Sequence, residues 1–332
     1  MRSPVEFRTG KPGFYPDQAV YAEFACAELG LKFHDLDGGS GLLFGVASHD
    51  RIVHFGAGRC SWYPQNSATA STLASDKYFA SRILHEAGVP VLGGEYFFLS
   101  ERHRAHRPAG HERNDAIDYF KALGGSAFVK PLTGSRGDFA QAVHGGPALI
   151  RYLDEVMKYY DAVLIQPIVE GIEYRVFLLD DAPLYCARKF PPCVIGDGVH
   201  SLRQLLAAHN DTLRSRGLSP AALPANDASL DAVPAIGQGR EIPGRMNLSA
   251  GGTMVLAEAP SEKAVILARQ ASRALGLRVA AIDMFVGIGG DPAAIEIIEV
   301  NSNPSIRLLE DSGRADRILK IWHHTFSAMG LL

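Results

Sequence analysis

The chain has 332 residues, 47% of them hydrophobic and 21% charged, with a formal net charge of −3. This is the balance of a globular enzyme large enough for two or three lobes, and it excludes disorder as the default and a general nucleic-acid or membrane-surface partner. The four cysteines, Cys26, Cys60, Cys186 and Cys193, form no CxxC pair and have no zinc-finger spacing, so free thiols in a reducing cytoplasm are expected.

Residues 1–72 read as a small α/β lobe, with a helical pattern from Asp17 to Leu29 and short apolar runs at Leu42–Phe44 and Arg51–Phe55. Gly56-Ala57-Gly58-Arg59-Cys60-Ser61 imitates a dinucleotide fingerprint but lacks the third glycine and a following helix, so a turn is expected. The opening residues Met1–Glu6 carry no signal-peptide core, and no run reaches the roughly 18 apolar residues that cross a bilayer. A cytoplasmic protein is therefore expected, in which the sequons at Asn210 and Asn247 stay unmodified.

Residues 73–165 open on a helix with Ser75 as N-cap, Lys77 near its start, Phe79, Ile83 and Leu84 on one side, and Gly88 as stop. A strand at Glu95–Leu99, a polar loop at Arg102–Arg113 and a helix at Asn114–Leu123 follow. The strand Ala127–Pro131 then brings Lys130 to Thr133-Gly134-Ser135-Arg136-Gly137-Asp138 and a second strand, Phe139–Val143. Strand, glycine loop, strand is a hairpin and not a Walker A motif; Gly134 and Gly137 let backbone approach phosphate, or simply permit a turn.

After a helix at Pro147–Tyr160, residues 166–332 form the third region. A strand breaks at Pro167, and a hairpin of Glu173–Leu179 and Leu184–Phe190 brings Arg175 and Arg188 together. Such cations are either solvation devices or, beside a carboxylate metal site, a phosphate clamp. Helices at Ser201–Arg216, Ser261–Leu275 and Gly313–Met329 complete the pattern, with a Pro/Ala/Asp-rich connector at 218–239 and the segment Arg245–Thr253 between the first two. Ala281–Met284 and Ile297–Pro304 then place Asp283, Glu299 and Asn301 at the ends of two apolar strands. Side chains two apart share a strand face, so Glu299 and Asn301 point the same way with Asp283 beside them. Hard oxygen ligands of this kind suit Mg2+ held jointly with phosphates; the alternative is a pair of edge strands with solvated carboxylates.

In this order the segments Asp76-Lys77, Phe128–Pro131, Gly171–Arg175, Val194–Ser201, Asn247–Thr253 and Glu299–Asn301 resemble the ATP-grasp superfamily. Within it they are most similar to the carboxylate–amine ligases, near cyanophycin synthetase and bacterial glutathione synthetase, over Ser71 to Arg307. The resemblance implies an α/β (α+β) fold with a nucleotide between two antiparallel sheets. It implies Lys77 and Lys130 at the phosphates or adenine, the loop with Gly134, Ser135 and Gly137 over the phosphates, and Gln166, Ile168 and Val169 as the adenine hinge. Gln166 departs from the usual Glu there. Glu173 would approach the ribose, and Asp283, Glu299 and Asn301 would hold Mg2+ or Mn2+. Arg175, Arg188 and Asn247 would face the reacting phosphate, with Arg245 and Arg307 as weaker candidates.

The implied activity is an ATP- and Mg-dependent ligase that joins the carboxylate of an amino acid or small peptide to an amine through an acyl phosphate, releasing ADP and phosphate. A small-molecule kinase and a non-catalytic nucleotide-binding regulator remain as alternatives. Small-molecule substrates are the expected partners, with no nucleic acid and no membrane; a homodimer or homotetramer is the expected assembly.

Overall fold

The computed structural model describes residues 2–56, 61–134, 137–215, 220, 227–242 and 252–332. In chain order its elements begin with α1 (Pro4–Arg8), α2 (Asp17–Leu29), β1 (Lys32–Asp35), β2 (Leu43–Ala47), β3 (Ile52–Gly56), α3 (Ala68–Ser75) and α4 (Lys77–Glu86). Then come β4 (Glu95–Phe98), α5 (Arg113–Ala122), β5 (Ser126–Pro131), β6 (Gln141–His144), α6 (Gly146–Val156) and β7 (Ala162–Gln166). The remainder is β8 (Ile172–Leu179), β9 (Ala182–Phe190), β10 (Cys193–Ile195), α7 (Leu202–Ser215), β11 (Gly239–Glu241), β12 (Thr253–Ala257), α8 (Glu262–Ala274), β13 (Val279–Val286), β14 (Ile295–Asn301), α9 (Arg307–Asp311) and α10 (Ala315–Ala328).

Two antiparallel sheets dominate, one in the order β4-β7-β5-β6 and one in the order β12-β9-β8-β13-β14; smaller sheets pair β1-β2-β3 and β10-β11. Helices α5 and α6 cover the four-stranded sheet through Phe120, Leu149 and Leu153. The five-stranded sheet is buried on both faces. Val176, Ile282 and Met284 pack under α8, while Phe177, Tyr185 and Ala281 share a core with α2, α10 and the N-terminal sheet. The N-terminal lobe is thus joined to the large sheet by one hydrophobic core, anchored by Trp322, which is wholly buried. Among the described residues Cys26, Cys186 and Cys193 are free thiols, and Cys60 lies outside those residues.

Some local signals differ from the sequence pattern. Ser75 ends α3, and the cap of α4 is Asp76, whose carboxylate accepts from the backbone N–H groups of Tyr78 and Phe79 at 3.0 and 2.9 Å. The helix α3 itself is an Ala/Ser/Thr segment capped by Ser67, with no wide apolar stripe to announce it. At β8–β9 the register shifts between Phe177 and Leu178, so Arg175 lies opposite Ala187 and Arg188 opposite Tyr174. A bulge of this kind reverses which side chains of β9 share a face with those of β8.

Candidate active site

The four-stranded and five-stranded sheets face each other across a cleft of about 680 Å³. The lid side contributes Lys130, Gly137, Gln166, Ile168 and Val169; the opposite wall contributes Glu173, Lys189, Glu299 and Asn301. Lys77, at the first position of α4, closes one end. Its ammonium donates to the carbonyls of Leu132 and Gly134 at 3.4 and 3.3 Å, and burial pushes its pKa down. Lys130 is 5% exposed, and burial lowers its ammonium to about 8 despite the opposing pull of Glu299.

Asp283 lies at the floor, fully buried between β8 and β14. Arg175 grips it in bidentate fashion, Nε to Oδ1 at 2.7 Å and Nη2 to Oδ2 at 2.7 Å, and Lys189 Nζ donates to Oδ2 at 2.8 Å. Burial opposes ionisation of this carboxyl, but the guanidinium and ammonium outweigh it and hold Asp283 well below the usual carboxylate range. Lys189 also forms an ion pair with Glu173, whose own pKa is raised because burial outweighs that ammonium. Asn301 Nδ2 donates to Asp283 Oδ2 at 3.3 Å and to Glu299 Oε1 at 3.2 Å, so one amide bridges both carboxylates.

These three oxygen-bearing side chains meet the needs of a hard divalent cation in chemistry and in convergence. The described residues hold no cluster of three or more His, Cys, Asp or Glu suited to a metal, so the protein alone offers an incomplete shell that phosphate oxygens would have to complete.

No family model matches the chain. Over 234 residues it is 26% identical to the glutathione biosynthesis bifunctional protein GshAB of Mannheimia succiniciproducens, covering 63% of this chain and 30% of that protein. Over 262 residues it is 28% identical to cyanophycin synthetase of Trichormus variabilis, covering 71% of this chain and 27% of that protein. The chain therefore spans less than a third of the length of these curated relatives. In three dimensions it is similar to a bifunctional glutathione synthetase from Pasteurella multocida, with TM-score 0.53, 21% identity, and coverage of 93% of this chain and 44% of that one. A D-alanine–D-alanine ligase from Bacillus anthracis superposes with TM-score 0.51 and 15% identity over 78% of this chain and 69% of that one. The chain has the ATP-grasp fold.

Within this fold, Lys77, Lys130, Gly134, Gly137, Gln166, Ile168, Val169, Glu173, Glu299 and Asn301 all border this cleft, and the Arg175–Asp283 pair is buried beneath it, bonded to Lys189 and Asn301 of its lining. Ser135, Arg245 and Asn247 lie outside the described residues. Arg307 ties the C-terminal region to the N-terminal lobe through Asp17 at 3.3 Å, and within α9 it also pairs with Asp311 at 2.9 Å. The expected convergence of Arg175 and Arg188 is not found. Arg188 points to the opposite face of the sheet, where its guanidinium stands 4.7 Å from the Phe190 ring, and the cation delivered to the cleft is Lys189. A regular ladder continued from the Leu179–Ala182 pair would have put Arg188 on the face of Arg175; the bulge moves Lys189 there instead.

Gln166 is 3% exposed. Its Nε2 donates to the carbonyls of Leu92 and Gly93, each at 3.2 Å, which fixes the amide orientation and leaves Oε1 buried without a hydrogen-bond partner. The residue is thus a hinge tether, joining β7 to a segment whose Leu92 N–H donates to Ile297 O of β14 at 3.0 Å. At the same hinge a Cβ on Gly94 would come within 2.8 Å of Ile165 O, so only glycine fits this close approach. Among the described residues no helix is long and apolar enough to cross a membrane.

Proposed function

We propose that the chain is an ATP- and Mg-dependent ligase that joins a carboxylate, from an amino acid or small peptide, to an amine through an acyl phosphate. The observation that carries this reading is one cleft between two antiparallel sheets in which the buried Lys130 of the lid and Lys77 of α4 meet Glu299 and Asn301 of the opposite wall, with Asp283 bonded to Asn301 beneath them. A triphosphate needs both, cations to neutralise its oxygens and a carboxylate site for its divalent ion. The names of the relatives, a glutathione biosynthesis protein and cyanophycin synthetase, support ligation over simple phosphorylation.

The residues divide the work. Ile168 and Val169 offer apolar surface to a base, and the unpartnered Gln166 Oε1 accepts from an exocyclic amine. Glu173 stands where a ribose hydroxyl would donate. Lys77 and Lys130 neutralise phosphate oxygens, and Glu299, Asn301 and Asp283 would hold a Mg2+ ion, whose charge would offset that developing on the phosphates. A substrate carboxylate oxygen takes the γ-phosphoryl group, and ADP leaves. The amine then attacks the acyl carbon, the tetrahedral centre collapses, and inorganic phosphate departs. Lys189 lines the cleft where charge builds in both steps, with Arg175 behind it holding Asp283; one well-placed donor of this type is worth about 10²–10³ in rate. Closing of the lid sheet would keep water from the acyl phosphate.

An ADP-release screen with Mg-ATP and amino acids, singly and in pairs, followed by product mass, tests the reading. Release that requires an added amine, with a product lighter by one water than its two substrates, is expected. A stable phosphorylated product would make the chain a kinase, and the absence of both nucleotide binding and release would remove the enzyme altogether.

A further inference from the structure

Both carboxylate oxygens of Asp283 are already engaged by charged donors. Oδ1 accepts from Arg175 Nε, while Oδ2 accepts from Arg175 Nη2, Lys189 Nζ and Asn301 Nδ2, in a residue that is 0% exposed. A divalent ion seeking this carboxylate meets two positive groups that hold the same oxygens at 2.7–2.8 Å, and like charges at that spacing repel strongly in a buried site. One of the two must leave before Asp283 can act as a ligand.

The geometry selects which. Arg175 is a planar fork locked on both carboxylate oxygens, whereas Lys189 is a point charge on a flexible stem. Lys189 alone of the pair also lines the cleft, and it divides its ammonium between Asp283 and Glu173. Both of these partners belong to the wall on which the nucleotide reading seats ribose and metal.

We propose that Lys189 is an internal counter-ion that occupies the cation's carboxylate until a triphosphate arrives. Its ammonium leaves Asp283 and Glu173 for the phosphate oxygens as the divalent ion takes up Asp283, so cation and nucleotide enter as a unit and neither binds well alone. This rests on the nucleotide reading of the cleft and adds to it a coupling that Lys189 sets. No bond is made or broken; one charge moves from a carboxylate pair to a phosphate.

The test uses the full chain and two probes, Mn2+ followed by electron paramagnetic resonance and a non-hydrolysable ATP analogue followed by calorimetry. In the unsubstituted chain, each probe should tighten the other by about tenfold or more, within the usual range of coupling between sites. In Lys189→Met, Mn2+ alone should bind about tenfold tighter and the coupling should fall towards unity; Lys189→Arg, which keeps the charge, should retain it. Unchanged Mn2+ affinity and coupling in Lys189→Met would overturn the proposal. If that variant fails to fold, Lys189→Gln is measured with the same expectation and the same overturning result. Failure of the unsubstituted chain to bind the analogue at all would instead defeat the nucleotide reading beneath it.

Discussion

Asp283→Asn and Glu299→Gln make the same chemical change at two neighbouring carboxylates, and the structure assigns them different costs. Asp283 is fully buried and neutralises Arg175 and Lys189 together. Removing its charge strands a buried guanidinium, a change that costs about 3–5 kcal/mol; because Lys189 keeps Glu173, the lower end, about 3 kcal/mol, is expected. Glu299 is only half-buried and accepts one side-chain hydrogen bond, from Asn301, so Glu299→Gln should cost about 1 kcal/mol or less. Unfolding entropy near 60 °C is about 2.1 cal/mol/K per residue, or roughly 0.7 kcal/mol/K for 332 residues. The melting midpoint, read by circular dichroism, should therefore drop by about 4 °C for Asp283→Asn and by less than about 2 °C for Glu299→Gln. The folded Asp283 carboxyl titrates below its unfolded value, so its stabilisation is fully present above about pH 4 and is lost as the pH falls beneath that. The gap between the two variants should accordingly stay flat from about pH 5 to 8. Equal midpoints for the two variants would refute the buried-counter-ion account, even if both lose turnover.

Four further outcomes are expected. Because burial lowers Lys130 to about 8, nucleotide affinity measured by calorimetry should weaken as pH rises through that value, while Lys130→Met should bind about tenfold more weakly with little pH dependence between about 7 and 9. The same depressed pKa means that the folded state penalises the ammonium below about 8 and that this penalty fades towards pH 10, so Lys130→Met should be the more stable protein at pH 7 and lose that advantage in alkali, as urea unfolding will show. Arg188→Met should keep kcat within about threefold, whereas Lys189→Met should lose about 10²-fold, an assignment that steady-state kinetics would reverse if the two effects were exchanged. Gln166→Glu would set a carboxylate against the carbonyls of Leu92 and Gly93, and urea unfolding at pH 7 should register a loss of about 1–3 kcal/mol.

Much of the frame could be read along the chain because its signals are local. The helix from Asp17 to Leu29 ends at Gly30 in the left-handed region, and α8 starts at the side-chain cap of Ser261. The strands that carry Lys130, Arg175, Asp283 and Glu299 are apolar runs whose polar exceptions stand out against burial. What escaped was non-local or unpatterned. The three-residue strands β10 and β11 are too short and too exposed for an alternation to appear. The fusion of the N-terminal lobe with the large sheet depends on Trp322 and Phe177 meeting Phe55 and Tyr63 in one core, which no window of sequence contains. The choice between Arg188 and Lys189 turned on a register shift, and adjacent cations look alike until the pairing of each with β8 is known. That Gln166 replaces the usual Glu was legible, but not that its amide spans a lid-to-sheet junction with two donor contacts a carboxylate could not make.

The irregularity between Phe177 and Leu178 leaves Leu184 as the extra residue of β9, between Pro183 paired with Leu178 and Tyr185 paired with Phe177. Removing Leu184 would let the ladder close evenly there while Ala187 still met Arg175 and the tip pairs Leu178–Pro183 and Leu179–Ala182 kept their partners. The hairpin thus carries one residue of slack, and a change in length near its tip can be absorbed before it reaches the phosphate end of the strand.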